Sequence, residues 1–181
     1  PIPGVQLRIV EEKGAEAQTE GVGEVYAHGD NVMLGYWNDK KGTKERLRNG
    51  WLRTGDLGRI DNDGFLFLKG RSTDMIKTGA NRVSPDEIEE VVNRFEEIKE
   101  CAAYGIRDEL LGEAIAISLV REKRSTVSVN EIKRRCLRKL PQYKIPKVVR
   151  FVTNLPKTSS GKVQRYRLAK SYEEEKRFEN K

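Results

Sequence analysis

A change of hydrophobic pattern near Gly70 constrains the fold of this chain more than any other feature of its sequence. Before that point, short segments of alternating apolar and polar residues are separated by turn residues, a pattern typical of strands. A polar stretch at 38–47 favours a short helix that ends near Gly50. The alternating segments lie at 5–10, 24–28 and 64–68. Residues 1–70 are therefore predicted to form a β-rich region.

Helical signals begin after Gly70. Ser84, Pro85 and Glu87 form a capping-box pattern, in which serine precedes the helix, proline takes its first position and glutamate its third. Apolar residues then follow at helical spacing, which predicts a helix with one buried face. These residues are Ile88, Val91, Val92 and Phe95.

The rest of the second region alternates between strands and one more helix. Strands are predicted at 100–104, 113–120 and 147–152. A helix capped by Thr126 or Ser128 is predicted to stop before Pro141. The predicted fold class is therefore α+β: a β-rich subdomain, then a small α+β lid (residues 71–181) with a mainly antiparallel sheet and two packing helices.

The composition excludes several classes of protein. Cys101 and Cys136 are too few and too far apart for a disulfide framework or a paired-cysteine metal site, so both are predicted to be buried, reduced thiols of a cytoplasmic protein. The single His28 has no Cys or His partner at ligand spacing, so no metal site is predicted. No apolar run approaches the roughly 18 to 20 residues of a membrane span. Because Pro1 opens the chain without methionine, the sequence is expected to be part of a longer protein.

The positive charge lies in the second region. The first 70 residues hold 10 Lys+Arg and 11 Asp+Glu, whereas the remaining residues hold 25 and 17. Such an excess attracts polyanions, which include phosphorylated small molecules and nucleic acids. A basic nucleic-acid-binding module is therefore one alternative function, although the strands contain few aromatic residues and no RNA-binding signature.

A lysine on a small-residue turn is the first candidate for chemistry. Ser159, Ser160 and Gly161 favour a tight turn with exposed backbone N–H groups, and Lys162 adds a positive charge on a flexible stem. Such a turn suits the binding of phosphate groups. A solvated hairpin whose lysine has no function is the alternative interpretation.

Three other segments have candidate binding residues. Asp56 follows a Thr-Gly turn and is suited to accept hydrogen bonds from both hydroxyls of a ribose, with an Asx turn or a helix cap as the alternative. Arg71 lies where the pattern changes, as expected of a linker between domains. Residues 77–82 form a small-residue loop between two cations before a helix, and predict an anion site or an ordinary capped turn.

Taken together, these segments resemble the C-terminal third of the adenylate-forming enzymes, the superfamily of acyl-CoA synthetases, peptide-synthetase adenylation domains and luciferases. The resemblance runs through nearly the whole chain, in order and at the family's spacing. The family's N-terminal parts, including its Ser/Thr/Gly-rich phosphate loop and acyl pocket, are absent from this sequence. The segments that carry the resemblance are GYWND (35–39), GWLRTGDLG (50–58), GRSTDMIK (70–77), RVSPDEIE (82–89) and PKTSSGK (156–162).

The resemblance implies a role for each candidate in the first half-reaction, in which a carboxylic acid and ATP give an acyl-adenylate and pyrophosphate. Asp56 is implied to bind the ribose of ATP with help from Arg71, and Lys162 to stabilise charge around the α-phosphate. Mg²⁺ is implied at the β- and γ-phosphates, with its ligands mostly outside this chain. Residues 1–70 then correspond to the end of the large N-terminal domain.

For the second half-reaction, in which CoA gives an acyl-CoA and AMP, the resemblance implies a rotation of the lid. The hinge lies near 71–74, with Thr73 or Asp74 as the pivot, and the rotation withdraws Lys162. A loop of Lys77, Gly79, Ala80 and Arg82 then lines the CoA path, where Arg82 meets a CoA phosphate. Many family members have glycine in place of Ala80, so Gly79 is the residue that permits a close approach.

The resemblance thus implies an AMP-forming acid–thiol ligase, such as the acyl-CoA synthetases of fatty acid metabolism. Its partners are a small-molecule carboxylic acid, ATP, CoA and the N-terminal domain of the same chain, without which this part is expected to be inactive. An adenylation domain that loads a carrier protein is the alternative within the superfamily.

Overall fold

A computed structural model describes residues 1–12 and 14–179 of the chain. The contacts divide the protein into two compact units, Pro1–Thr73 and a second unit that begins at Asp74. The sequence placed its domain boundary after residue 70, which lies inside a strand of the first unit that ends at Arg71.

The first unit is a five-stranded antiparallel sheet with one short helix. β4 is its central strand: β2 pairs along one edge, and β3 and β5 pair along the other. The predicted strands and the predicted helix are confirmed within a few residues at their ends. The elements are β1 (Gln6–Val10), β2 (Gly23–His28), α1 (Lys40–Arg46), β3 (Leu47–Arg48), β4 (Trp51–Ile60) and β5 (Leu66–Arg71).

The second unit contains a five-stranded sheet built around a central pair of long strands, which confirms the predicted α+β class with a mainly antiparallel sheet. β8 and β9 pair antiparallel over their whole length, and β10 pairs parallel with the other edge of β9. The elements are β6 (Ile76–Thr78), β7 (Asn81–Val83), α2 (Pro85–Val92), β8 (Ile98–Asp108), β9 (Gly112–Arg121), α3 (Val129–Lys139), a 3-10 turn (Gln142–Lys144), β10 (Val148–Phe151) and α4 (Arg165–Glu179).

Both faces of this sheet are buried, which explains why β9 is a nearly continuous apolar run, as predicted. On one face, Ile88 and Val92 of α2 and Ile132 of α3 form a core with alternate residues of β8 and β9. The intervening strand residues pack on the other face against Leu168, which lies on α4. The sheet is therefore the middle layer of three.

The start of α2 agrees with the prediction, but its capping box is not formed. Ser84 precedes the helix and Pro85 opens it, yet the Ser84 side chain makes no capping hydrogen bond, and its buried Oγ has no partner among the residues that the structure describes. Glu87, which a capping box would turn back toward Ser84, instead forms an ion pair with Lys144. Ser128, one of the two predicted caps of α3, does accept a hydrogen bond from Glu131 N at 3.2 Å.

The C-terminal helix α4 has two different halves. The charged segment at 173–177, which its composition predicts to be solvated, is exposed. The first half instead packs on the second face of the sheet through Leu168, Ala169 and Tyr172, whose spacing puts them on one side of the helix. Among residues 1–12 and 14–179, no helix combines the length and the apolar character that crossing a membrane requires.

Candidate functional site

Thr54, Gly55 and Asp56 lie inside strand β4, and the predicted Thr-Gly turn and the alternative of a helix cap are both wrong. The register shift between β2 and β4 shows why: the strand bulges here, with Gly55 at a φ of +82°. Thr54 Oγ1 secures the bulge, because it donates to Val25 O at 2.8 Å and accepts from Asp56 N at 3.1 Å.

Asp56 and Arg71 are brought together, as residues opposite each other on β4 and β5. Arg71 Nε lies 3.1 Å from Asp56 Oδ1, and the side chains are 62% and 31% exposed, respectively. A polar cleft of about 240 Å³ lies beside the bulge, lined by Tyr36, Gly55 and Arg71 among other residues. The cleft and the partly exposed carboxylate provide hydrogen-bonding groups for a small polar ligand.

Residues 77–82 form most of a β-hairpin, which corrects the prediction of a loop that opens directly onto a helix. β6 and β7 pair antiparallel, Gly79 and Ala80 form the turn between them, and β7 separates this turn from α2. Gly79 has a φ of +58°, a conformation that two-residue hairpin turns require and glycine adopts readily. We call residues 76–83 the hairpin.

The hairpin places two cations opposite each other on its exposed face. Lys77 and Arg82 are cross-strand partners and both are exposed, whereas Ile76 and Val83 are buried. The two side chains provide positive charge on one face of the hairpin, which suits an anionic ligand.

Two backbone N–H groups of the hairpin donate hydrogen bonds to the β8–β9 connection and to the start of β9. Gly79 N donates to Leu111 O at 2.9 Å, and Lys77 N donates to Glu113 Oε2 at 2.6 Å. Leu110, at the same tip, is 93% exposed. The hairpin therefore has a fixed position beside an exposed apolar side chain.

Lys162 lies on the tight turn that the sequence predicted, outside the main sheet. Lys157 and Val163 form an isolated antiparallel bridge, and between them Thr158 N donates to Lys162 O at 2.8 Å. Thr158 Oγ1 accepts from Lys162 N at 3.1 Å, and Gly161 has a φ of +83°. We call residues 157–163 the lysine turn. The Lys162 side chain is exposed, and the described part of the chain provides it with no ion-pair partner.

A cluster of carboxylates around Arg165 follows the lysine turn and was not predicted. Arg165 Nη2 lies 2.9 Å from Glu89 and 3.1 Å from Asp86, and Nη1 lies 3.7 Å from Asp74, the candidate pivot residue. Burial raises the pKa of the Glu89 carboxyl above its ordinary value, while the hydrogen bond from Ala103 N–H and the positive charge of Arg165 act in the opposite direction.

The cysteines and the histidine lie outside these sites. Cys101 and Cys136 are free and buried, as predicted, and burial raises their thiol pKa values to about 12 and about 11. His28 contacts the ring of Trp51, with centroids 5.2 Å apart. In the part of the chain that the structure describes, no group of three or more His, Cys, Asp or Glu side chains is placed to hold a metal ion.

Residues 87–162 match the family described as AMP-binding enzyme C-terminal domain. This part of the chain is an AMP-binding enzyme C-terminal domain. The matched residues begin within α2 and end at Lys162, so they include the central pair of strands and most of the lysine turn. The resemblance to the C-terminal part of the adenylate-forming enzymes is thereby confirmed.

Several relatives named as CoA ligases are similar to this chain over almost its full length. A long-chain-fatty-acid–CoA ligase of Yersinia pestis is 38% identical over 93% of the chain, and a 2-succinylbenzoate–CoA ligase of Bacillus mycoides is 40% identical over 96%. The solved structure of ATP-bound MatB from Rhodopseudomonas palustris superposes with a TM-score of 0.87 at 34% identity over 94% of the chain. The chain spans 30%, 36% and 34% of the lengths of these three proteins.

Some residues of the C-terminal domain's candidate sites gave no signal in the sequence. Glu113, which fixes the hairpin, is one acidic residue among many at a strand end. Glu89 and Arg165 are 76 positions apart, and neither belongs to a spacing pattern that links them. The one indication in the sequence is that Glu89 follows Ile88, a residue of the predicted buried face of α2. A partly buried carboxylate requires a partner, but the sequence does not identify Arg165 as that partner.

Proposed function

We propose that this chain supplies the C-terminal part of an ATP-dependent acyl-CoA synthetase. In the first half-reaction, a carboxylate oxygen attacks the α-phosphorus of ATP, and the bond to pyrophosphate breaks. In the second, the CoA sulfur attacks the acyl carbon, and AMP leaves. One observation carries the proposal: the match to AMP-binding enzymes includes an exposed lysine on a hydrogen-bonded turn.

Lys162 is proposed to serve the first half-reaction. Negative charge increases on the oxygens around the α-phosphorus as the new bond forms and pyrophosphate leaves. An ammonium group that is already positioned stabilises this charge without reorganisation at the moment of reaction. The turn supports this role because Thr158 binds the backbone of Lys162 at two points while leaving the side chain exposed.

Asp56 is proposed to bind the two ribose hydroxyls of the nucleotide. A carboxylate accepts two hydrogen bonds from adjacent hydroxyls in a bidentate arrangement, and charged acceptors make stronger hydrogen bonds than neutral ones. Arg71, 3.1 Å away, orients the carboxylate. The ribose remains in both the acyl-adenylate and AMP, so this contact serves both half-reactions.

The hairpin is proposed to serve the second half-reaction. Its turn at Gly79 and Ala80 has no bulky side chain, so a thin, extended group such as pantetheine can pass close to the backbone. The exposed Leu110 beside it offers apolar contact. Lys77 and Arg82 supply positive charge for a phosphate of CoA.

The two half-reactions are proposed to use different orientations of the second unit, with the pivot at Thr73 or Asp74. The division of the chain between these two residues supports this location. Among the described residues, no group of three or more His, Cys, Asp or Glu side chains is placed to hold Mg²⁺.

The acid substrate of the proposed reaction is a carboxylic acid. Two relatives at similar identity are named for different acids, a long-chain fatty acid and 2-succinylbenzoate. The choice of acid therefore does not follow from this part of the protein.

The proposal is tested with the complete enzyme that contains this chain. It is incubated with ATP, Mg²⁺, CoA and a panel of short, long and aromatic carboxylic acids, and the release of pyrophosphate and AMP is measured together with thioester formation by mass spectrometry. We expect at least one acid to give AMP and acyl-CoA in equal amounts. AMP release that never requires an acid, or an acyl-adenylate that never reacts with CoA, would contradict the assignment.

A further inference from the structure

Arg165 occupies a position that connects the lysine turn to the rest of the second unit. It is the first residue of α4 and lies three positions after Lys162. Its side chain is 25% exposed and forms ion pairs with three carboxylates from two other segments. Asp86 and Glu89 lie on α2, and Asp74 lies at the start of the unit.

The contact with Glu89 is the firmest of the three. Arg165 Nη2 lies 2.9 Å and 3.0 Å from the two Glu89 oxygens, and Nε lies 3.2 Å from one of them. Glu89 is only 15% exposed and also accepts Ala103 N from β8 at 2.8 Å. Glu89 is thus fixed to the sheet, and it fixes Arg165 in turn.

The other end of the lysine turn has weaker support. Lys157 pairs with Glu100 of β8 through one contact between exposed side chains, and such pairs contribute little to stability. Gln164 N donates to Pro156 O at 2.8 Å, which closes the base of the turn without attaching it to the sheet. Val163, the last residue of the turn, packs against the second face of the sheet. Arg165 adds a polar attachment to α2, because a guanidinium with several carboxylate contacts is rigidly oriented.

We propose that Arg165 is a positioning residue that holds the lysine turn on α2 and connects it to Asp74 at the pivot. The inference rests on the proposed function of Lys162. A change of orientation at Thr73 or Asp74 then moves α2, Arg165 and Lys162 as one rigid body. Lys162 thereby reaches its place near the α-phosphate without a separate adjustment of the turn.

This role predicts a specific kinetic defect. Loss of Arg165 leaves Lys162 in the protein but lets its turn shift, and a displacement of about 1 Å costs roughly 100-fold in rate at a reacting centre. We expect Arg165→Gln to lower the rate of adenylation roughly 10- to 100-fold. The KM for ATP and the rate of thioester formation from supplied acyl-adenylate are expected to stay near wild type, because neither depends on Lys162.

Arg135 provides a matched control in the same unit. It makes a bidentate pair with Glu97 and a third contact with Glu131, and it is 32% exposed. Arg135→Gln therefore removes an ion-pair network of similar size that has no contact with the lysine turn. It is expected to affect both half-reactions equally and slightly. Arg165→Lys, which keeps the charge but loses the planar fork, is expected to recover part of the adenylation rate.

The experiment measures both half-reactions of the complete enzyme carrying each substitution, together with amide hydrogen exchange in the lysine turn. Faster exchange at 157–163 and a selective loss of adenylation in Arg165→Gln, but not in Arg135→Gln, support the proposal. Unchanged exchange there, or an equal loss of both half-reactions, overturns it. If the wild-type enzyme shows no acid-dependent pyrophosphate release, the proposed function fails, whereas the exchange measurement still decides whether Arg165 holds the turn.

Discussion

The lysine turn and the hairpin lie in the same unit, present exposed lysines and are held in place by different forces. The hairpin belongs to the main sheet: its strands are paired in register, two of its apolar side chains are buried, and backbone N–H groups fix its turn and β6. The lysine turn is closed by one isolated bridge, and it is attached to the domain by charged side chains and by one partly buried side chain, that of Val163.

This difference indicates how each element can be altered. Backbone hydrogen bonds and buried side chains are shared among many residues, so the position of the hairpin resists single surface substitutions. The position of the lysine turn depends on a few charged groups and on the single apolar side chain of Val163, so one substitution can shift it while the sheet stays intact. The two elements can therefore be tested separately, and under the proposed function they serve different half-reactions.

The largest effect is expected from Lys162→Ala. Removal of a positioned charge from the site where negative charge develops costs roughly 100- to 1000-fold in rate. We expect a loss of this size in acid-dependent pyrophosphate release, with thioester formation from supplied acyl-adenylate largely retained. Lys157→Ala, at the start of the same turn, removes an equal charge that already pairs with Glu100, and a small effect is expected. Equal losses in the two variants would mean that the total charge matters and that the position of Lys162 does not.

An intermediate effect is expected from Asp56→Ala. Asp56 lies in neither the lysine turn nor the hairpin, so this variant is the reference for a change that affects both half-reactions. Hydrogen bonds to a charged group contribute about 1.5 to 3 kcal/mol, so the rate should fall roughly 10- to 100-fold. Because the ribose is held throughout, we expect both half-reactions to slow together. Asp61→Asn serves as the control. Asp61 Oδ1 accepts hydrogen bonds from Asp63 N and Phe65 N, and the asparagine keeps an oxygen that can accept them. An unchanged rate and KM for ATP in Asp56→Ala would rule out the ribose contact.

Local features of the fold were predictable because local sequence determines them. Gly161 and the two serines before it favour the lysine turn, and Pro85 marks the start of α2. The bulge in β4 was not predictable, since Thr54 and Gly55 are equally typical of a turn that ends a strand. Only the pairing of β4 with β2 and β5 shows that the strand continues.

Long-range contacts account for the rest of what the sequence missed. The charges of α4 suggested a solvated helix, and only its packing against β8 shows why Leu168 is buried. The Glu87 side chain does not complete the capping box, because it pairs with Lys144, 57 positions away. The pairing of Arg165 with Glu89 likewise depends on the folded sheet between them, and no local pattern records it.

The smallest effects are expected from alanine substitutions at two glycines, one in the lysine turn and one in the hairpin. Gly161 in the lysine turn and Gly79 in the hairpin both have positive φ, at +83° and +58°. A methyl group on Gly161 meets no atom within 4 Å, and one on Gly79 makes an ordinary contact at 3.6 Å with Leu111 Cδ2. Replacement by alanine therefore adds a similar backbone strain to each, about 1 to 2 kcal/mol, without a clash.

The central claim is that the two elements serve different half-reactions, and the Gly161→Ala and Gly79→Ala pair tests it most directly. The measurement is the ratio of the adenylation rate to the rate of thioester formation from supplied acyl-adenylate, in the complete enzyme. With strain of this size, we expect changes of a few-fold to about tenfold. The account predicts that Gly161→Ala lowers the ratio and that Gly79→Ala raises it. A shift in the same direction in both variants would contradict it.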